Sequence, residues 1–178
     1  MRRRQPLPTL WLMTDERADA GLDAALKRLP RGAGVIFRHY ATAERRARYE
    51  QVRRIARARG MVLVLAGSPR LAIAWKADGA HGRSRHVRAA RRLIRTAPVH
   101  GRREMLGVKA DLVLLSPLFP TRSHPGGRTL GPVRFGMMAK GRRTIALGGM
   151  TEGRFRRLRR LGAYGWAAID GLTPRLRT

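Results

Sequence analysis

Short apolar runs recur along the chain, separated by polar and basic stretches. Thr9 to Thr14 (TLWLMT), Gly34 to Phe37 (GVIF), Met61 to Leu65 (MVLVL), Asp111 to Leu115 (DLVLL), Thr144 to Leu147 (TIAL) and Gly165 to Ile169 (GWAAI) are the clearest. Runs this short, apolar almost throughout rather than alternating, predict strands buried on both faces. Asp78 to His81 (DGAH) and Ala97 to His100 (APVH) are too short for pattern alone to decide, yet they stand where the spacing calls for further strands. Between the runs, Leu22 to Leu29 predicts a helix, and Thr42 to Arg59 a long arginine-rich helix closed by Gly60. The breakers Ala66, Gly67, Ser68 and Pro69 lead into a short helix through Trp75, and a basic helix is expected from about Ser84 to Arg95.

About eight strands with intervening helices imply a parallel sheet covered on both faces. Closure as a compact (β/α)8 TIM barrel with shortened helices is the leading expectation, and an open doubly wound sheet is the alternative. The barrel domain is expected over 9–173, after a basic extension over 1–8 and before a short tail over 174–178. Ser116 to Pro132 (SPLFPTRSHPGGRTLGP) follows a strand and shows neither period, which predicts a long functional loop.

Composition narrows the classes. A chain of 178 residues, 43% of them hydrophobic, can bury one substantial core. It has no apolar run of about eighteen residues, and its N-terminus lacks the apolar segment of a signal peptide, so a cytoplasmic location without a membrane partner is expected. The absence of cysteine closes disulfides, thiolate zinc sites and cysteine nucleophiles. The net charge of +28 would attract any polyanion, specifically or not. Of the 39 lysines and arginines, 35 are arginine and they are spread from Arg2 to Arg177, while aromatic residues are only 6%. That distribution suggests ordinary solvated helix faces more than a base-stacking platform.

In a parallel barrel, active sites form at the C-terminal ends of the strands. The residues there are Asp15, then Arg38, His39 and Tyr40, then Gly67 and Ser68, then His81 and His100. The long loop adds Thr121, Ser123 and His124, and the last two strands end in Gly148 and Gly149, and in Asp170 and Gly171. Two glycines before a helix capped by Thr151 would let backbone amides approach an anion, whereas Asp170 would repel one unless an arginine neutralises it. His81 and His100 are expected to be hydrogen-bonded within the barrel mouth.

Six segments, in order, resemble the thiamine phosphate synthase and TenI family. They are LWLMTD (Leu10 to Asp15), GVIFRHY (Gly34 to Tyr40), ADGAHG (Ala77 to Gly82), ADLVLLSPLFPTRSHPG (Ala110 to Gly126), ALGGM (Ala146 to Met150) and GWAAIDG (Gly165 to Gly171). The resemblance implies a compact barrel of thiamine metabolism that handles phosphorylated substrates. The synthases of that family join a thiazole phosphate to a hydroxymethylpyrimidine pyrophosphate with magnesium. Their Gln-x-Arg-x-Lys pattern appears here as Ile36, Arg38 and Tyr40, and their Asn-Asp pair as Ala66 and Gly67. No carboxylate follows His81 in Gly82, Arg83, Ser84 and Arg85, and Thr-x-Thr-Lys becomes Thr121, Arg122, Ser123 and His124. Asp170 stands where a serine contacts the thiazole phosphate. Without those carboxylates no magnesium or other cofactor is expected to be held by protein. TenI-type members isomerise a thiazole carboxylate with a histidine where Pro117 stands here; His124, further along the same loop, is the catalytic candidate, its other reading being an ordinary exposed loop histidine.

These readings predict binding of a thiazole phosphate or related phosphorylated metabolite by Arg38, Thr121, Ser123, Gly148, Gly149, Asp170 and Gly171. Any chemistry would be that of a synthase-like transferase or a tautomerase using His124. The alternative is a catalytically inactive basic barrel that serves as a scaffold or nucleic-acid binder.

Overall fold

The computed structural model describes residues 6–83, 92–122 and 126–172. Eight parallel strands close into one barrel: β1 (Leu10–Met13), β2 (Gly34–Phe37), β3 (Val62–Ala66), β4 (Gly79–His81), β5 (Ile94–Val99), β6 (Leu112–Leu115), β7 (Thr144–Leu147) and β8 (Ala163–Ala168). Pairing of β1 with β8, Trp11 opposite Ala167, closes the ring and sets aside the open doubly wound sheet. Helices α1 (Leu22–Arg28), α2 (Arg45–Ala58), α3 (Pro69–Ala74), α4 (Arg102–Gly107), α5 (Gly131–Ala139) and α6 (Glu152–Arg159) lie between strands.

Alternation within each strand divides the core into an inside and an outside. Trp11, Met13, Ile36, Val64, Leu112, Leu114, Ile145 and Ala167 form the barrel interior. Leu12, Val35, Phe37, Leu63 and Leu65 face outward under α1 and α2. Val113, Leu115 and Ala146 do the same with Phe135 of α5 and Leu158 of α6. Trp11 is fully buried, and its indole N–H donates to the Pro8 carbonyl at 2.7 Å. A Cβ on Gly34 would lie 2.2 Å from the Trp11 ring, so only glycine lets β2 pass this side chain. Trp11 thereby fills the lower interior.

Three expectations are corrected. Ile94 and Arg95 begin a strand rather than end a helix, because Arg95 is held by Asp111: its amide lies 2.8 Å from Oδ2 and its guanidinium pairs with the same carboxylate. Of the rest of that expected helix, 92–93 form a turn and 84–91 lie outside the described residues. Ala66 is the last residue of β3 rather than part of the breaker group, paired with His81 of β4. The long loop stops short of Pro132, since α5 begins at Gly131 with proline in its first turn, where a missing N–H costs nothing. Among the described residues no helix is long and apolar enough to cross a membrane.

Candidate functional site

Inward-facing residues at the ends of β2 and β4 give the mouth a polar floor. Arg38 follows Ile36 on the inner face of β2. Its amide donates to the Thr14 hydroxyl at 2.9 Å, and Nη1 reaches Sδ of Met13 at 2.9 Å, which lays the guanidinium over the interior. His81, the last residue of β4, is 6% exposed and shares a 2.8 Å hydrogen bond between Nδ1 and the Thr96 hydroxyl. Burial, reinforced by the Arg38 charge, pushes its imidazole down to about 4, so it is neutral at physiological pH.

Ion pairs and caps tie the loops after β1 and β2 together. Asp15 takes two bonds from Arg17, at 2.8 and 3.0 Å. Hydrogen bonding to Arg17 holds its carboxyl below the usual range against the opposing effect of burial, and Arg38 lies 4.0 Å away. Glu16 accepts the amides of Ala41 and Thr42, at 2.6 and 3.0 Å. His39 is 1% exposed and fully engaged: Nε2 lies 2.8 Å from Asp19, Nδ1 lies 3.0 Å from the Thr14 hydroxyl, and the ring stacks on Phe37. A carboxylate only accepts, so Nε2 is the donor to Asp19. Asp19 also receives Arg48 at 2.8 Å. Burial alone would raise the Asp19 pKa, but the bonds from Arg48 and His39 prevail and lower it.

The opposite rim is made of backbone. Gly148 and Gly149 have φ of +94° and +61°, conformations that L side chains rarely adopt. A Cβ on Gly148 would fall 2.9 Å from Cα of Pro117, and one on Gly149 would fall 2.5 Å from the Pro120 carbonyl. The Leu118 and Phe119 amides donate to the Leu147 and Gly148 carbonyls at 2.9 and 3.1 Å. The segment after β6 is thus laid onto the turn after β7. The loop after β8 joins them, since a Cβ on Gly171 would lie 2.9 Å from the Met150 carbonyl. Thr151 caps α6 by accepting the Arg154 amide at 3.3 Å, and among the described residues the amides of Gly149 and Met150 have no acceptor. Arg154 donates to the Gly149 carbonyl and lies over the Phe119 ring at 4.4 Å. A cation therefore stands beside a turn that presents N–H groups at a helix N-terminus.

The structure thus brings Gly148, Gly149 and Gly171 together, with half-buried Thr121 at the end of the segment packed on them. Arg38 is on the mouth but belongs to the β1–β4 side. Asp170 is exposed, and its charge adds to the hydrogen bonding and charge of Asp15 in raising the Arg17 pKa. Ser123 and His124 lie outside the described residues. His81 and His100 are hydrogen-bonded strand-end residues, as expected; Nδ1 of His100 lies 2.9 Å from the Ser116 carbonyl. Residue order did not reveal Arg154, Arg45 or the Thr14–His39–Asp19 chain. Only the position of Arg154 three residues after a cap could have signalled its place. A cavity of about 390 Å³ runs along the outer wall by Leu93, Val99 and Val108 and reaches Gly67, Gly82 and Arg83 after β3 and β4.

The magnesium implied by the resemblance does not fit these residues. All eleven carboxylates fall among the described residues, and no three side chains of His, Cys, Asp or Glu come together there. Ala66 and Gly67 offer no side-chain oxygen, Ser68 is spent capping the Leu71 amide, and Asp15 is occupied by Arg17. Magnesium demands several oxygen ligands in octahedral array, and this donor set cannot supply them.

Comparison with known proteins agrees with the architecture. The barrel superposes on thiamine phosphate pyrophosphorylase from Pyrococcus furiosus with a TM-score of 0.73 at 22% identity, covering 92% of this chain and 86% of that one. The Bacteroides thetaiotaomicron thiamine phosphate pyrophosphorylase gives 0.60 at 15% identity, over 92% and 83% of the two chains. A KDPGal structure gives 0.65 at 14% identity, over 100% and 90%. At these identities the likeness is one of fold. No protein with a curated description matches significantly. The family described as thiamine monophosphate synthase matches residues 10–172, nearly the whole barrel, and the chain belongs to that family.

Proposed function

We propose that the barrel mouth binds a phosphate monoester, thiazole phosphate or a related phosphorylated metabolite of thiamine metabolism, with its phosphate on the Gly148–Gly149 turn. The observation that carries this reading is that turn: two left-handed glycines at the start of α6 beside Arg154, with the Gly149 and Met150 amides lacking an acceptor among the described residues. Arg38 supplies positive charge over the interior. Magnesium-dependent synthase chemistry is not part of the proposal, because the donor set lacks the carboxylates it needs. Any tautomerase chemistry would need a proton carrier other than His39, whose two ring nitrogens are engaged, or His81, which is buried and neutral.

A second reading, a basic scaffold or nucleic-acid binder, draws on one observation. The ion pairs found among the described residues all lie between Asp15 and Asp111, so the exposed Arg156, Arg157, Arg159 and Arg160 of the α6 region have no carboxylate. Thermal-shift titration in moderately high salt separates the two. Thiazole phosphate should raise the melting temperature while the unphosphorylated thiazole alcohol does not. Stabilisation by an oligonucleotide of defined length, with none by the phosphate ester, would replace the first reading by the second.

A further inference from the structure

We propose that the outer face of α5 and α6 docks on an anionic lipid bilayer, with the crest of α5 set among the headgroups and the arginines of α6 on the lipid phosphates. This face lies on the side wall of the barrel, clear of the mouth, and does not depend on what the mouth binds. Docking of this kind needs no spanning helix, the lack of which was the ground for expecting no membrane partner.

α5 is apolar on both sides. Phe135 and Ala139 turn into the core, while Val133 and Met137, four residues apart and so one above the other, are 74% and 77% exposed. Leu161, 40% exposed, continues the patch: a Cβ on Gly136 would lie 3.3 Å from the Leu161 Cβ, so the residues after α6 rest against α5 with no side chain between them. Arg134, next to Val133, and Lys140, beyond Met137, are exposed as well. α6 buries Leu158 and leaves Arg156, Arg157 and Arg160 exposed on its outer side.

Little in this half of the chain balances that charge. After Asp111 the carboxylate side chains are Glu152 and Asp170 alone. Asp170 follows β8 at the mouth, and Glu152 stands in the first turn of α6, where it complements the helix dipole. α6 thus carries one carboxylate against four arginines, with Arg160 as its C-cap.

The arginines by themselves would suit any polyanion, and the apolar crest beside them narrows the choice. A nucleic acid offers phosphates to guanidinium groups, but it reads exposed bases by aromatic stacking, and this face has no aromatic side chain turned outward. A folded acidic partner would need a groove shaped to the crest. Acyl chains and headgroups need no preformed shape, and they take apolar tips and long cationic side chains side by side.

Flotation of the full chain with vesicles of equal parts phosphatidylcholine and phosphatidylglycerol, with pure phosphatidylcholine vesicles and a single-stranded oligonucleotide as comparisons, tests this. The chain should float with the anionic vesicles and not with the neutral ones. Val133→Ser combined with Met137→Ser leaves the net charge unchanged and should weaken that partition about tenfold, without weakening oligonucleotide binding. Arg156→Gln, Arg157→Gln and Arg160→Gln together should weaken it about a hundredfold, whereas the same charge removed at Arg28, Arg54 and Arg57 of α1 and α2 should weaken it no more than about threefold. All of the substituted side chains are exposed, so each variant should keep the melting temperature of the unaltered chain. Equal losses for the two arginine variants, or full vesicle binding by the serine variant, would mean that net charge alone draws the chain to polyanions, and either result overturns the inference. Oligonucleotide binding that depends on the α6 arginines, beside vesicle binding that does not, also overturns it and assigns the face to nucleic acid.

Discussion

The rim over β1 to β3 and the rim over β6 to β8 are made of different material. On the first, side chains hold the loops: Glu16 on two amides, Asp19 on His39 and Arg48, Arg45 on two carbonyls. On the second, backbone lies directly on backbone through Gly148, Gly149 and Gly171, and among the described residues no ion pair occurs beyond Asp111. A rim held by side chains responds to pH and can be retuned one residue at a time. One made of glycine contacts has no room for a Cβ.

The sharpest way to break the contrast is Gly149→Ala. The new Cβ would meet the Pro120 carbonyl at 2.5 Å in a backbone held at φ +61°. Strain and overlap together should cost about 4 kcal/mol and lower the melting temperature by on the order of 10 °C by calorimetry. A drop of a degree or less would show that the turn can move away from the loop.

The next effect is acid sensitivity from His81. Its folded pKa of about 4 lies below the ordinary 6.5, so the neutral form stabilises the fold. That contribution is complete above pH 6.5 and is lost as pH falls toward 4, by about 3 kcal/mol in all. Urea unfolding followed across this range should show the slope, and His81→Asn should flatten it. Asp15 and Asp19, whose pKa values lie below the ordinary 3.8, add their loss only at still lower pH. The smallest effect is that of Asp19→Ala, which leaves the buried His39 donor without an acceptor and should cost about 2 kcal/mol in the same unfolding assay. An unchanged stability would mean that water replaces the carboxylate, and that this rim is looser than its hydrogen bonds suggest.

How far the sequence could be read follows the same division. β2 and β7 have the bounds expected of them because GVIF and TIAL are uninterrupted apolar runs. β5 begins three residues before its expected start because IRTAPV carries an arginine and a proline, and what makes it a strand is Asp111, distant in sequence. The first two residues of α5, Gly131 and Pro132, fell within the expected loop because glycine and proline read as breakers. Strand-end residues such as Arg38, His81 and the glycine pair were legible because parallel barrels place chemistry there. Arg45 and Arg154 were not, since each reaches a backbone carbonyl of a neighbouring segment from within a helix and looks like one more arginine on a basic surface.

Trp11 turns the barrel from a tube into a cup. With its indole filling the lower interior and Gly34 pressed against it, arrival and departure share one opening. A cup imposes sequence in time: when two molecules occupy it together, the one nearer the bottom must come first and go last. The floor that sets this order is the apolar interior layer, with Trp11 at its base.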